Sequence, residues 1–246
     1  MTLDTVASLT LGVQALLLPT LLIFGSRLDD RRRVFLLLLA IAWLLLLTGL
    51  SAAGLFSARG YGMPFVGVAA IAPVLAVLLL RNRSATLRTL VNTVPLTLLV
   101  ALHVGRLLGV YFLALHAAGR LPPTFAYLAG WGDIIIGIDS IPLAFAVFHR
   151  ARGWRPWLLI WNCLGVADLM IALSLGAGSA AGSPIRFIYQ EPSSALMGTL
   201  PWFLIPGYLV PLYLIAHATI FFRLVKADRL DSGYADEARM RGHIVT

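Results

Sequence analysis

A single cysteine, Cys163, is all the thiol this chain has. No disulfide can form within it, and no cysteine-based metal motif can be built. There is also one lysine, Lys226. A retinal-type Schiff base in the last apolar run is therefore excluded, because Lys226 lies past its end. Charge as a whole is scarce. Only 12% of the 246 residues are Asp, Glu, Lys or Arg, about half the share of an ordinary soluble domain. Strict two-residue alternation is missing, which argues against a β-barrel. HExxH, P-loop, kinase and dinucleotide signatures are missing as well. The opening MTLDTVASL has no basic n-region and carries Asp4, so the first apolar run is expected to be a retained helix and not a cleaved signal peptide.

What is present is apolar. The chain is 59% hydrophobic, with a mean hydropathy of +0.88. Apolar stretches of about 18 or more residues recur along its length. The fold class that follows is an all-α membrane protein, a bundle of seven transmembrane helices at about 5–25, 34–56, 64–80, 93–118, 123–148, 155–176 and 199–224. They form one transmembrane domain over residues 1–230, and residues 231–246 read as a polar cytoplasmic tail with a disordered end. The net charge of +8 does not point to nucleic acid, because the basic residues sit at the ends of apolar runs, where topology signals belong. Fifteen of the nineteen lie in the first, third and fifth connections and in the tail. Three lie on the other side, at Arg59, Arg120 and Arg186, and Arg106 is inside the fourth span. This bias places the N-terminus outside and the C-terminus in the cytoplasm. The longest outer connection, Gly176 to Gly198, carries Ile185, Phe187, Ile188 and Tyr189. It reads either as an interfacial loop with aromatic anchors or as a lid over an outward cavity.

Polar residues inside the spans are few. They are His103 and Arg106 on the fourth, Asp133 and Asp139 on the fifth, Asn162 and Asp168 on the sixth, and His217 on the seventh. Gln14 on the first looks isolated, and His116 and His149 lie near span ends. A charge at mid-span costs about 2.5–3.5 kcal/mol on insertion scales, so such groups face the interior and have partners. At a rise of about 1.5 Å per residue, these groups fall in one slab between the midplane and the inner leaflet. On α-helical geometry His103 and Arg106 stand about 60° apart, on one side of their span. Asp133 lies in a stripe with Ala126, Gly130 and Gly137, and Asp168 in another with Trp161, Gly165 and Ala172. Small residues let helices approach closely, so both aspartates are expected to point inward. GWGDIIIGI (130–138) and GVADLMIAL (165–173) also share a pattern at an offset of 35, which suggests a short inverted repeat. The expected buried charge network is Arg106, Asp133, Asp139 and Asp168, with Arg106 opposite Asp133. One arginine does not neutralise three aspartates, so protonation or a bound cation or cofactor must complete the balance.

The segment HVGRLLGVYFLALHAAGRLPPTFAYLAGWGDIIIGI (103–138) resembles a widespread family of uncharacterised bacterial integral membrane proteins. So do WNCLGVADL (161–169) and LPWFLIPGYLVPLYLIAHATIF (200–221). The likeness covers roughly the C-terminal half and is carried by the R-x-x-G, GRLP and GWGD elements. It implies the bacterial inner (cytoplasmic) membrane and carries over no functional residues.

These residues point first to one function, a haem protein, with two alternatives beside it. In the first, the chain is a b-type haem protein for electron transfer or redox sensing. His103 and His217 are the axial ligands at matched depth, Arg106 faces a propionate, and His116 is a further candidate ligand about 20 Å along the span. In the second, the same Asp/His/Arg cluster serves a proton- or cation-coupled transporter or channel, with Pro201, Pro206 and Pro211 breaking the seventh span near the site. In the third, His103, His217 and an aspartate bind a catalytic metal, although no local motif supports it. The first three spans have almost no interior polar residues and are expected to scaffold the site or to form a contact in a homo-oligomer. The bilayer is the one partner composition establishes; an electron partner is not readable.

Overall fold

A computed structural model describes residues 1–57 and 62–243, with side chains through Lys226. It is all-helical among the described residues, and seven helices are long and apolar enough to cross a membrane. This is the architecture expected from the sequence. The spans are α1 (Leu3–Phe24), α2 (Asp30–Ala52), α3 (Gly62–Leu80), a composite fourth span (Leu96–Ala117), α7 (Pro123–Phe148), α8 (Trp154–Ser179) and a seventh over Ile205–Lys226. Helix starts follow local chemistry. Thr2 and Asp29 cap α1 and α2 by accepting backbone N–H groups of Thr5 and Arg32. Pro123 occupies the first turn of α7, where its missing N–H is harmless.

The fourth span departs from the expected helix over 93–118. A separate short helix, α4 (Ala85–Thr93), precedes it, capped by Ser84. Val94 is extended before Pro95, as residues preceding proline usually are, and the chain restarts as α5 (Leu96–Ala101). Residues Leu102–Gly109 are then a 3₁₀ segment, and α6 (Val110–Ala117) completes the crossing. The seventh span also begins irregularly. The expected helical start at 199 gives way to a bend and turns over 199–203, a π-helical stretch at Ile205–Leu209 containing Pro206 and Gly207, and then α9 (Val210–His243). The backbone of α9 thus continues into the residues read as a tail, whose side chains lie outside the described set.

Contacts sort the connections to two ends. At one, the Arg27 N–H donates to Thr93 Oγ1, Arg223 donates to the Val94 carbonyl, and Arg81 lies on the Phe222 ring. Arg150 and Arg155 share a cavity with Arg223 at the same end. At the other, Asp4 accepts from Arg120 at 2.9 Å and from the Trp202 indole at 3.0 Å. The core runs between α1, the fourth span, α7, α8 and α9. Helix α2 is peripheral, with Val34, Phe35, Leu38, Leu39, Leu45 and Leu46 exposed, an apolar surface suited to lipid.

Candidate functional site

The 3₁₀ segment sets the site. In a 3₁₀-helix residues three apart eclipse one another, and burial here falls at His103, Arg106 and Gly109. The two polar side chains therefore stand directly above one another, where α-helical geometry would have left them about 60° apart. Arg106 is 2% exposed. Its Nε donates to Asp133 Oδ1 on α7 at 2.7 Å, which is the expected pairing, and its Nη2 donates to Asp168 Oδ2 on α8. Nη1 reaches the Gly165 carbonyl at 3.4 Å and His217 Nε2 on α9 at 3.5 Å. One guanidinium is thus gripped by carboxylates from two antiparallel helices.

Glycines make these approaches feasible. A Cβ on Gly109 or Gly130 would meet Asp133 or the facing backbone, and one on Gly137 would crowd the backbone of His103 and Leu107. A Cβ on Gly165 would strike the His217 ring, and one on Gly132 would strike the Asp168 carboxylate. The predicted small-residue stripes on α7 and α8 are therefore the packing faces, as read from sequence. The R-x-x-G and GWGD elements supply both the charges and the room for them. GRLP closes the turn after α6, away from the cluster: Gly119 takes a left-handed φ of +67°, and the Leu121 carbonyl accepts from His116.

His103 and His217 are both fully buried, and the structure brings them together. His103 Nδ1 donates to the Leu99 carbonyl at 2.9 Å, which leaves Nε2 as a lone pair without a partner among the described residues. Asn162 fixes His217. Its Nδ2 donates to the His217 carbonyl at 3.2 Å, so its Oδ1 accepts from His217 Nδ1 at 2.9 Å. His217 Nε2 then faces the Arg106 N–H as an acceptor. The two imidazoles touch directly, with ring centroids 4.2 Å apart. Trp161 and Tyr213 enclose His103 at 4.9 and 5.1 Å, and the Trp161 indole donates to the Ile136 carbonyl.

A haem between these imidazoles would need a different arrangement. Two metal–nitrogen bonds of about 2.0 Å set ring centroids about 6 Å apart, with the macrocycle lying between them. The cavity beside Arg106 and Asp133 has a volume of about 20 Å³, enough for one water and far below a cofactor pocket. His116 is not part of the site. It lies at the far end of α6, bonded to Leu121 and edge-on to Tyr127 at 5.0 Å. Asp139 is not part of the network either. It is exposed on the opposite side of α7 and lines a groove with Arg152 and Trp157. Six residues from Asp133 is about 240° around an α-helix, so the two cannot share a face. Among the described residues, no group of three His, Cys, Asp or Glu is placed to hold a metal ion.

Two members of the site were not anticipated. Gln14 is not isolated: its amide donates to the Tyr213 hydroxyl, and both line the small cavity with Arg106 and Asp133. Tyr213 lies four residues before His217, one turn away on the same face, and that spacing was the signal available. Toward the end where Asp4 meets Arg120, an apolar cavity of about 230 Å³ lies between α3, α8 and the π-helical stretch. Ile185, in the connection between α8 and the seventh span, lies at its wall and, like Phe187 and Tyr189, is largely exposed.

No curated protein and no solved structure matches the chain. A family model described as a domain of unknown function, DUF8737, matches residues 63–225. That stretch holds Arg106, both of its carboxylates, both imidazoles, Asn162 and Tyr213, and leaves only Gln14 outside. The chain belongs to the DUF8737 family.

Proposed function

We propose that this multi-pass membrane protein is a transport protein in which the Arg106 cluster takes up and releases a proton or a monovalent cation. The observation that supports this most is the sharing of one guanidinium by Asp133 and Asp168. Two carboxylates against one guanidinium leave one negative charge in a place where uncompensated charge is expensive. A single proton or small cation balances it. A pair serving helix packing alone needs only one carboxylate; the second is what this reading accounts for.

Asp168 is the group best placed to exchange. Its side chain is 14% exposed, while that of Arg106 is 1% exposed. Protonation of Asp168 removes its pull on Nη2 and leaves Arg106 on Asp133, Gly165 and His217. The His103 Nε2, without a partner among the described residues, offers a second lone pair in contact with the same cluster. The π-helical entry to the seventh span gives that helix an irregular backbone beside the site, as in transporters with discontinuous helices. The proposal places the protein in a bacterial inner membrane, N-terminus outside.

A pH step applied to proteoliposomes on a solid support tests this. Wild-type protein should give a transient charge displacement that Asp168→Asn abolishes. Equal currents from both proteins would refute the proposal. The haem reading would require the two imidazoles to part by about 2 Å. Protein purified from haem-replete cells is therefore expected to show no Soret band. A Soret band with resolved α and β bands, lost in His103→Ala or His217→Ala, would establish the haem reading instead.

A further inference from the structure

The end of α3, the short helix α4 and the end of the seventh span border a cavity of about 550 Å³ that the transport reading does not use. Its walls carry Arg81, Arg88 and Lys226, the amides Asn82 and Asn92, and the rings of Phe221 and Phe222. No carboxylate lines it among the described residues, and none there pairs with these three cations. This sets them apart from Arg32, Arg33, Arg120 and Arg186, each of which has an acidic partner.

Arg81 is held in position. Its guanidinium carbon lies 3.3 Å from the centroid of the Phe222 ring, and its Nε is buried without a hydrogen-bond partner among the described residues. Stacking fixes the plane of the guanidinium while leaving its donors along the edge, the geometry that suits a phosphate. Phe221, 44% exposed, continues the cavity as apolar surface toward the spans.

We propose that this cavity binds the phosphate headgroup of an anionic phospholipid from the surrounding bilayer. Three cations with no acidic partner among the described residues and two amides supply charge and hydrogen bonds, and Phe221 lies where the glycerol end of an acyl chain would run. The position at the ends of two membrane spans, the third and the seventh, favours a lipid over a dissolved anion. Basic pockets between transmembrane helices suit such headgroups, with each cation strengthening binding about fivefold.

Native mass spectrometry of the detergent-solubilised full chain tests the assignment, using phosphatidylglycerol and phosphatidylcholine of identical acyl chains. Wild-type protein should retain the anionic lipid preferentially. Arg81→Gln and Arg88→Gln should each weaken retention about fivefold, at unchanged melting temperature. Arg83→Gln, exposed and outside the cavity, should leave it unchanged. Equal retention of the two lipids, or equal weakening by Arg83→Gln, would overturn the proposal. Displacement of the lipid by millimolar inorganic phosphate would reassign the cavity to a soluble phosphate. A melting temperature lowered by the Gln variants would be followed by Arg81→Lys and Arg88→Lys, which keep the charge. Retained lipid preference in these would sustain the headgroup site, and its loss in folded protein would overturn it.

Discussion

Arg106 carries five donors, and its bonds to Asp133, Asp168, Gly165 and His217 engage its three nitrogens. Removing one partner of a buried ion pair strands the other, at about 3–5 kcal/mol. Arg106→Leu should therefore lower the melting temperature steeply, because two carboxylates lose their counter-charge. Asp133→Asn should lower it less, since Asp168 still satisfies the guanidinium. The double variant should lie above the sum of the two losses, and strictly additive effects in a thermal-shift series would argue against a coupled site. Arg106→Lys should not rescue, because a point ammonium does not span two carboxylates as the planar fork does. Outside this cluster the expectation reverses. Asp139→Asn should stay within about 0.5 kcal/mol of wild type, as surface substitutions do. The Arg106–Asp133 pairing was legible because opposite charges at one depth in a membrane have few alternatives. Asp139 was misplaced because depth was read without angle: the glycine stripe that marked Asp133 as inward already put Asp139 on the other side. Tyr213 and Gln14 were missed for a different reason. Tyrosine counts as apolar in a hydropathy pattern, and a lone glutamine gives no hint of which helix will answer it.

At the scale of the element, the fourth span shows what periodicity does and does not reveal. A 3₁₀ turn advances about 120° per residue and an α turn about 100°. Over the three residues from His103 to Arg106 the difference is only about 60°, too small for a hydropathy pattern to register. Yet it decides whether Arg106 points at α7 and α8 together. The short α4 was missed because Arg88, Thr89, Asn92 and Thr93 make its nine residues read as a polar connection. The glycine stripes were legible because a small residue every fourth position is a local pattern with one geometric consequence. That consequence can be tested. Gly132→Ala would push its new methyl into the Asp168 carboxylate, so it should reproduce the loss of pH-driven charge displacement expected of Asp168→Asn. A Cβ added to Gly12 on α1 would meet nothing within 4 Å, and Gly12→Ala should leave both the current and the melting temperature unchanged. Equal behaviour of the two variants would mean that α7 and α8 do not approach as closely as the packing of Gly132 on Asp168 requires.

Across the whole molecule, two independent signals divide the chain into the same two ends. The sequence does so by charge, with fifteen of nineteen basic residues in alternate connections and the tail. The structure does so by contact: the first connection meets α4, Arg223 meets Val94, and Arg81 meets Phe222 at one end, while Asp4, Arg120 and Trp202 join at the other. An odd number of crossings puts the termini on opposite faces, so one orientation fixes all the others. The positive-inside bias then predicts the N-terminus outside and the C-terminus in the cytoplasm. A fluorescent reporter that matures only in the cytoplasm should be bright when fused after Lys226, and a phosphatase active only outside should be silent there. The pattern should invert when the same reporters replace residues in the connection that contains Arg120. Replacing Arg31, Arg32 and Arg33 by Gln should not flip the protein, because three further basic clusters stand at the same end and the bias acts through all of them. A bright phosphatase at the C-terminus would reverse the orientation and put the Arg81 cavity in the outer leaflet, leaving the geometry of the Arg106 cluster as it is.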